Sequence, residues 1–137
     1  MIKKINKYAI GDFHLRVGLG VSGKGLFATV PVPKNSYIIE YIGKTVPPAN
    51  HDTVTGRYLF WAGKKLMIDG NIKENKARFI NHSCKPNSKA EGPDGHIYIR
   101  TLRAIKPGEE ITYDYGDEYF DEFIKPKGCG CVKCVKG

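Results

Sequence analysis

Long apolar runs, heptads, internal repeats and low-complexity tracts are all missing from this chain. No stretch reaches the roughly 18 apolar residues that a membrane-spanning helix needs, and the opening MIKKINKYAI has a basic flank without the apolar length of a secretory leader. Membrane insertion and secretion therefore find no support in the residues, and an intracellular setting is the expectation. Tryptophan occurs once, at Trp61, and the other aromatics form no stacking series of the kind that tracks along a single nucleic-acid strand. No amphipathic helix longer than two or three turns can be traced, so the chain reads as short strands.

Cysteine is scarce and unevenly placed. Cys84 stands alone, while Cys129, Cys131 and Cys134 crowd into the last nine residues. Three clustered thiols and one distant one suit a metal better than two disulfides, the more so in a reducing compartment. Acidic residues are also outnumbered: 14 Asp and Glu stand against 22 Lys and Arg, a net charge of +8. That excess would ordinarily raise a nucleic acid or an anionic surface as partner, but the basic residues are scattered. The acidic ones are not, since Asp114, Asp117, Glu118, Asp121 and Glu122 fall in one window without Lys or Arg. Such a window suits a basic peptide; a solvated loop that breaks up positive charge explains the composition equally well.

What remains fits one compact domain with a modest core, since 41% of the 137 residues are hydrophobic. β-Branched and aromatic runs predict short strands at Ser36–Ile42, Arg57–Trp61, Lys65–Asp69, Gly95–Ile105 and Glu110–Tyr115. Turns punctuate them at Pro31-Val-Pro33, Pro47-Pro48, Gly92-Pro93-Asp94-Gly95 and Pro107-Gly108, and Glu74–Phe79 has room for a helical turn or two. The expectation is a mainly β domain with irregular connections.

Glycines concentrate at Val17-Gly-Leu-Gly-Val-Ser-Gly-Lys-Gly25. Gly18, Gly20 and Gly23 match G-x-G-x-x-G, and Gly18 to Lys24 begins like a P-loop. A dinucleotide fold requires a helix after the glycines, yet Leu26-Phe-Ala-Thr-Val-Pro-Val-Pro33 is β-branched and broken by proline. The P-loop reading fails at Gly25, where a Ser or Thr would be needed to hold magnesium. A glycine turn joining two strands is the leading reading. A functional alternative stays open, because a backbone without Cβ atoms can approach a flat, polar cofactor closely.

Two further segments turn that alternative into an expectation. They are Arg78-Phe-Ile-Asn-His-Ser-Cys-Lys-Pro-Asn87 and Gly108-Glu-Glu-Ile-Thr-Tyr-Asp-Tyr-Gly116. Taken singly, Asn81-His82 could be a polar turn, and Tyr113 and Tyr115 could be core aromatics. In this order and spacing they resemble the two signature segments of the SET-domain lysine methyltransferases. The family's earlier segments are also recognisable at Gly23-Lys24-Gly25, Glu40-Tyr41-Ile42-Gly43, Tyr58-Leu59-Phe60 and Ile68-Asp69.

The resemblance covers about residues 15 to 134 and implies a β-clip fold of small curved sheets, with a C-terminal pseudoknot and a post-SET zinc loop. It divides the chain into a flank over 1–14, a SET domain over 15–116, and an acidic rim with a zinc-binding tail over 117–137. Carried over residue by residue, it implies that S-adenosylmethionine lies against Ser22, Gly23, Lys24, Gly25 and Leu26, beside Tyr58, Arg78 and Tyr115, with Asn81 and His82 holding its adenosine and amino-acid ends. The target lysine would enter a channel walled by Tyr41, Phe60, Tyr113 and Tyr115. Catalysis would fall to Tyr115 first, then to Tyr113 and Tyr41. Cys129, Cys131 and Cys134 would join Cys84 around one structural zinc. The chain departs from the family's habit at Lys24, where many relatives carry an aromatic residue, at Lys44, where an acidic one is usual, and in the two residues before Cys134, where four are commoner.

The chemistry suits these residue types. Methyl transfer from a sulfonium to an amine is a direct displacement, so alignment is the main thing a site must supply. A desolvated channel and a nearby positive sulfonium both lower the pKa of the entering lysine, so no dedicated base is compulsory. Tyrosines offer an apolar, π-rich wall with one oriented hydroxyl each. A hydroxyl at Tyr113 would restrict room for further methyl groups, which implies mono- or dimethylation. The expected partner is a basic protein or peptide, a histone tail among the candidates, with neither membrane nor nucleic acid required; the cytoplasm and the nucleus are both open. With so little insert between Gly43 and Tyr58, a second copy of the chain is one way to complete the peptide groove. Two other classes stand against the enzyme: a catalytically silent module that reads a peptide, and a zinc-containing nucleic-acid binder.

Overall fold

A computed structural model of the chain describes residues 9–20, 23–50, 58–62, 66–93 and 95–114. Its first element pair is an antiparallel hairpin of β1 (Leu15–Gly20) and β2 (Gly23–Ala28), in register from Leu15↔Ala28 to Gly20↔Gly23. The described glycines of the run thus lie on two paired strands, Gly18 opposite Gly25 and Gly20 opposite Gly23, in keeping with the reading that the run joins two strands. Gly23 sits at φ 100, a left-handed conformation that only glycine adopts without strain.

Two small sheets follow. β3 (Tyr37–Tyr41), β8 (Ser88–Glu91) and β9 (Ile97–Thr101) form one in the order β3-β9-β8, with every pair antiparallel. β4 (Lys44–Val46), β5 (Leu59–Trp61) and β6 (Met67–Asp69) form the other in the order β4-β6-β5. Period-2 alternation carries β9: Ile97, Ile99 and Thr101 point inward and are buried, while Tyr98 and Arg100 lie between them on the outer face. Strict alternation fails in β3, where Ile38 and Tyr41 are both buried although three positions apart. A register shift between Tyr37 and Ile39 reconciles the two, the extra residue turning Tyr41 inward. Leu26, Ile80, Ile99, Ile105 and Ile111 form the centre of the core between the hairpin, the β3-β9-β8 sheet and a 3-10 turn at Lys76–Phe79.

The shortest strand pairing among the described residues joins two segments far apart in the chain. β7 (Asn81–His82) and β10 (Thr112–Tyr113) run parallel, with Thr112 opposite Asn81 and Tyr113 opposite His82. Two-residue parallel strands have little stability of their own. Side chains hold this pair: buried Asn87 donates through Nδ2 to the carbonyl of Glu110 at 2.7 Å and accepts from the N–H of Thr112 at 3.0 Å, and its own N–H donates to Thr112 Oγ1 at 3.2 Å.

The predicted strands exist, but several are shorter than expected. The run Gly95–Ile105 is β9 over Ile97–Thr101 only, because the chain turns at Leu102 and Arg103 so that Ile105 can exchange hydrogen bonds with Val32. Glu110–Tyr115 divides its pairing: the N–H of Ile111 donates to Leu26 in β2 at 2.7 Å, and only Thr112–Tyr113 reaches β7. The helical turn expected over Glu74–Phe79 is the 3-10 turn at Lys76–Phe79. No described helix is long and apolar enough to cross a membrane.

Candidate active site

Three of the four residues assigned to the lysine channel meet in space. The ring of Phe60, on β5, lies 5.1 Å from that of Tyr41 and 6.0 Å from that of Tyr113, centroid to centroid. These are the separations of favourable tilted aromatic contacts. Tyr41 and Tyr113 are 3% and 4% exposed, so little of this aromatic wall is in solvent. Tyr41 is anchored as well as buried: its hydroxyl donates to the carbonyl of Tyr58 at 2.8 Å, and a side chain at Gly70 would collide with its ring. The fourth channel residue, Tyr115, lies outside the described residues.

A second group gathers at the hairpin. Asn81 Nδ2 donates to the carbonyl of Lys24 at 2.9 Å and to Glu110 Oε2 at 2.6 Å, which joins β7, β2 and the segment entering β10. An added Cβ at Gly20 or Gly25 would collide with the Glu110 carboxylate, so those two glycines make its seat. Arg78 donates through its guanidinium to the carbonyls of Ile72 at 2.6 Å and Asn75 at 3.1 Å, and its Cζ lies 4.3 Å from the centroid of Phe79. The ammonium of Lys24 approaches the same ring at 5.8 Å. Phe79 therefore gathers two cations beside the hairpin. Leu26 contributes differently: its side chain is fully buried in the core and its carbonyl accepts from Ile111. Ser22 lies outside the described residues.

His82 joins the two groups through β7, yet its ring turns into the protein, with only 4% of the side chain exposed. Its Nε2 lies 3.3 Å from Cys84 Sγ and its Nδ1 3.7 Å from Asp114 Oδ1. Burial pushes the imidazole below its ordinary pKa, with the Asp114 charge acting in the opposite direction. Of the predicted zinc ligands only Cys84 lies among the described residues; Cys129, Cys131 and Cys134 lie outside them. Within the described residues no three His, Cys, Asp or Glu side chains are close enough together to hold a metal.

Glu110, Phe79 and Asn87 are absent from the site read from the sequence, although all three stand inside the two signature segments. Their only local signal was position. A carboxylate two residues before Thr112 looks like an ordinary exposed strand residue until its partner across the fold is known.

A family model described as the SET domain matches residues 23–116. The chain belongs to the SET-domain family. Histone-lysine N-methyltransferase trithorax of Drosophila virilis is 35% identical to this SET-domain chain over 147 residues, which is 98% of the chain and 4% of that protein. Histone-lysine N-methyltransferase 2D of Homo sapiens is 36% identical over 129 residues, 85% of the chain and 2% of that protein. Histone-lysine N-methyltransferase 2B of Homo sapiens is 34% identical over 149 residues, covering 97% of the chain and 5% of its own length. The SET domain described above thus spans a small part of the length of these relatives.

Proposed function

We propose that this SET domain is a protein-lysine N-methyltransferase that uses S-adenosylmethionine and acts on lysine in a basic, flexible segment of histone type. One observation carries the reading: β7 and β10 pair in parallel, so that Asn81-His82 and Thr112-Tyr113, which stand far apart in the chain, form one wall beside Tyr41 and Phe60. The names of the three relatives, all histone-lysine N-methyltransferases, support it.

The donor set suits such a cofactor. Asn81 Oδ1 has no partner among the described residues, the glycine hairpin brings main chain to the same place, and Lys24 and Arg78 frame Phe79 beside it. Gly23, Lys24, Gly25, Leu26, Tyr58, Arg78, Asn81 and His82 are the residues assigned to hold it, joined by Ser22 and Tyr115. When bound, S-adenosylmethionine supplies a methyl group activated by the positive sulfonium. The chain's own part is to strip water from the lysine stem between Tyr41, Phe60 and Tyr113, which lowers the amine's pKa, and to hold the amine in line. Tyr115 is assigned the leading catalytic role. The Tyr113 hydroxyl limits the product to mono- or dimethyl-lysine.

Residues 15–116 are assigned to the catalytic domain and 117–137 to an acidic rim and tail, in which Cys129, Cys131 and Cys134 join Cys84 around a structural zinc. The half-buried Cys84 thiol beside the buried His82 ring fits a first ligand of such a set. A nuclear, chromatin-associated setting follows from a histone substrate. Incubation with labelled S-adenosylmethionine, core histones and cell extracts, followed by mapping of the modified residue, tests the whole reading. Label on lysine is expected. Cofactor binding without turnover would leave the silent peptide-reading module, and no cofactor binding would remove the enzyme altogether.

A further inference from the structure

The Asn81 carboxamide has two N–H bonds to give, and both are taken. One goes to the Lys24 carbonyl at 2.9 Å and the other to Glu110 Oε2 at 2.6 Å. A backbone carbonyl cannot donate, and neither can an ionised carboxylate, so these partners dictate which end of the amide is nitrogen. Rotating the amide by half a turn would set its oxygen against two acceptors. The other end of the group is therefore committed as an acceptor, Oδ1, with no partner among the described residues.

Glu110 reaches this position because of where its strand runs. The segment before β10 pairs with β2, with Phe27 opposite Glu110, and the Glu110 carboxylate lies over the hairpin, where side chains at Gly20 and Gly25 would collide with it. Two glycines of the run thus make room for an internal carboxylate.

We infer that Glu110 is a positioning residue for the cofactor: from the seat left by Gly20 and Gly25 it fixes the Asn81 carboxamide so that Oδ1 is presented to a hydrogen-bond donor of the bound molecule. The inference rests on the methyltransferase reading for the identity of that molecule. The orientation of Asn81 itself does not depend on that reading. A charge-assisted hydrogen bond is about twice as strong as a neutral one, and loss of this one leaves only the Lys24 carbonyl to hold the amide against turning over. Glu110 touches neither reacting atom, so its loss should act on cofactor affinity before turnover.

Two variants and one spectrum test this. Glu110→Ala is expected to weaken S-adenosylmethionine binding by calorimetry about tenfold, with kcat at saturating cofactor changed much less. Glu110→Gln, whose amide oxygen can still accept from Asn81, is expected to recover most of that loss. In the unliganded wild-type protein, both side-chain N–H protons of Asn81 should exchange slowly with solvent, and in Glu110→Ala one of them should exchange quickly while the remaining spectrum is kept. If wild type binds S-adenosylmethionine and Glu110→Ala binds it equally well, the inference is wrong. It is equally wrong if Glu110→Gln loses as much as Glu110→Ala. Should the alanine variant not fold, fast exchange of both Asn81 protons in wild type overturns the inference, and slow exchange of both with near-native binding by Glu110→Gln supports it. Wild-type protein that binds no S-adenosylmethionine overturns the methyltransferase reading instead, and the exchange measurement then still decides the orientation of Asn81.

Discussion

Tyr113 combines a hydroxyl with near-complete burial, and its ring lies 6.0 Å from Phe60. Tyr113→Phe keeps the ring and removes one oxygen, so the dominant product should move up by one methyl group, read by mass spectrometry of a lysine peptide; trimethyl-lysine as the main product of wild type would refute the role given to the hydroxyl. Asn87 is a different case, a side chain whose partners are all internal. Asn87→Ala strands the Glu110 carbonyl and the Thr112 N–H, and at about 1–3 kcal/mol for each buried group left unpaired it should unfold several degrees or more below wild type. A melting temperature within a degree of wild type would mean that β7 and β10 are held by something else. Residues of this kind were poorly legible in the sequence. Tyr41, Phe60 and Tyr113 stand out because aromatic rings in a signature pattern are rare, whereas Asn87 and Glu110 use polar groups common on any surface, and their partners are visible only once the chain is folded.

The same limit acts on whole elements. Strands β3, β5, β6 and β9 announce themselves through β-branched and aromatic residues, but β4 and β8 were not foreseen. Lys44-Thr-Val46 is too short for periodicity, and Ser88-Lys-Ala-Glu91 has only one small apolar residue, paired through its backbone with β9. The turn that leads toward β10 offers a test by acidity. Glu109 accepts from the Arg103 guanidinium at 2.9 Å and from the N–H of Lys106 at 2.7 Å, and the Arg103 hydrogen bond is the main reason its carboxyl lies below the usual range. Its contribution to stability is complete above the unfolded carboxylate's pKa and is lost as pH falls through the lower folded value. Thermal unfolding of wild type and Glu109→Gln should therefore differ near neutrality and converge in acid. The effect should be small, because Arg103 is 55% exposed and Glu109 29%. A gap that widens on acidification would contradict the clamp.

At the scale of the molecule, a mainly β chain of small sheets was expected and is found, while the way those sheets come together followed from family resemblance alone. No residue pattern announces that Asn81 will lie beside Thr112, since two-residue strands carry no periodicity and their pairing is supported by Asn87, further along the Asn81 segment, reaching across to Glu110 and Thr112. Cys84 belongs to that same region, so a zinc held by it and the three C-terminal cysteines would tie the tail to the wall of the site. Chelation of zinc from native protein is therefore expected to lower the melting temperature and abolish methylation together, and metal analysis should return about one zinc per chain, as a four-thiolate structural site requires. Preparations carrying well under that amount with full activity would refute it.

The parallel contact between β7 and β10 also sets the order of events when the chain is made. Its second strand is synthesised long after its first, with β8 and β9 in between, and distant pairings of this type form slowly and late. A nascent chain that ends before Thr112 would have the hairpin, Asn81 and Phe60 but no Tyr113 to face them. The wall of the site should therefore stay open until β10 docks on β7, and fragments released before that point should be inert instead of partly active.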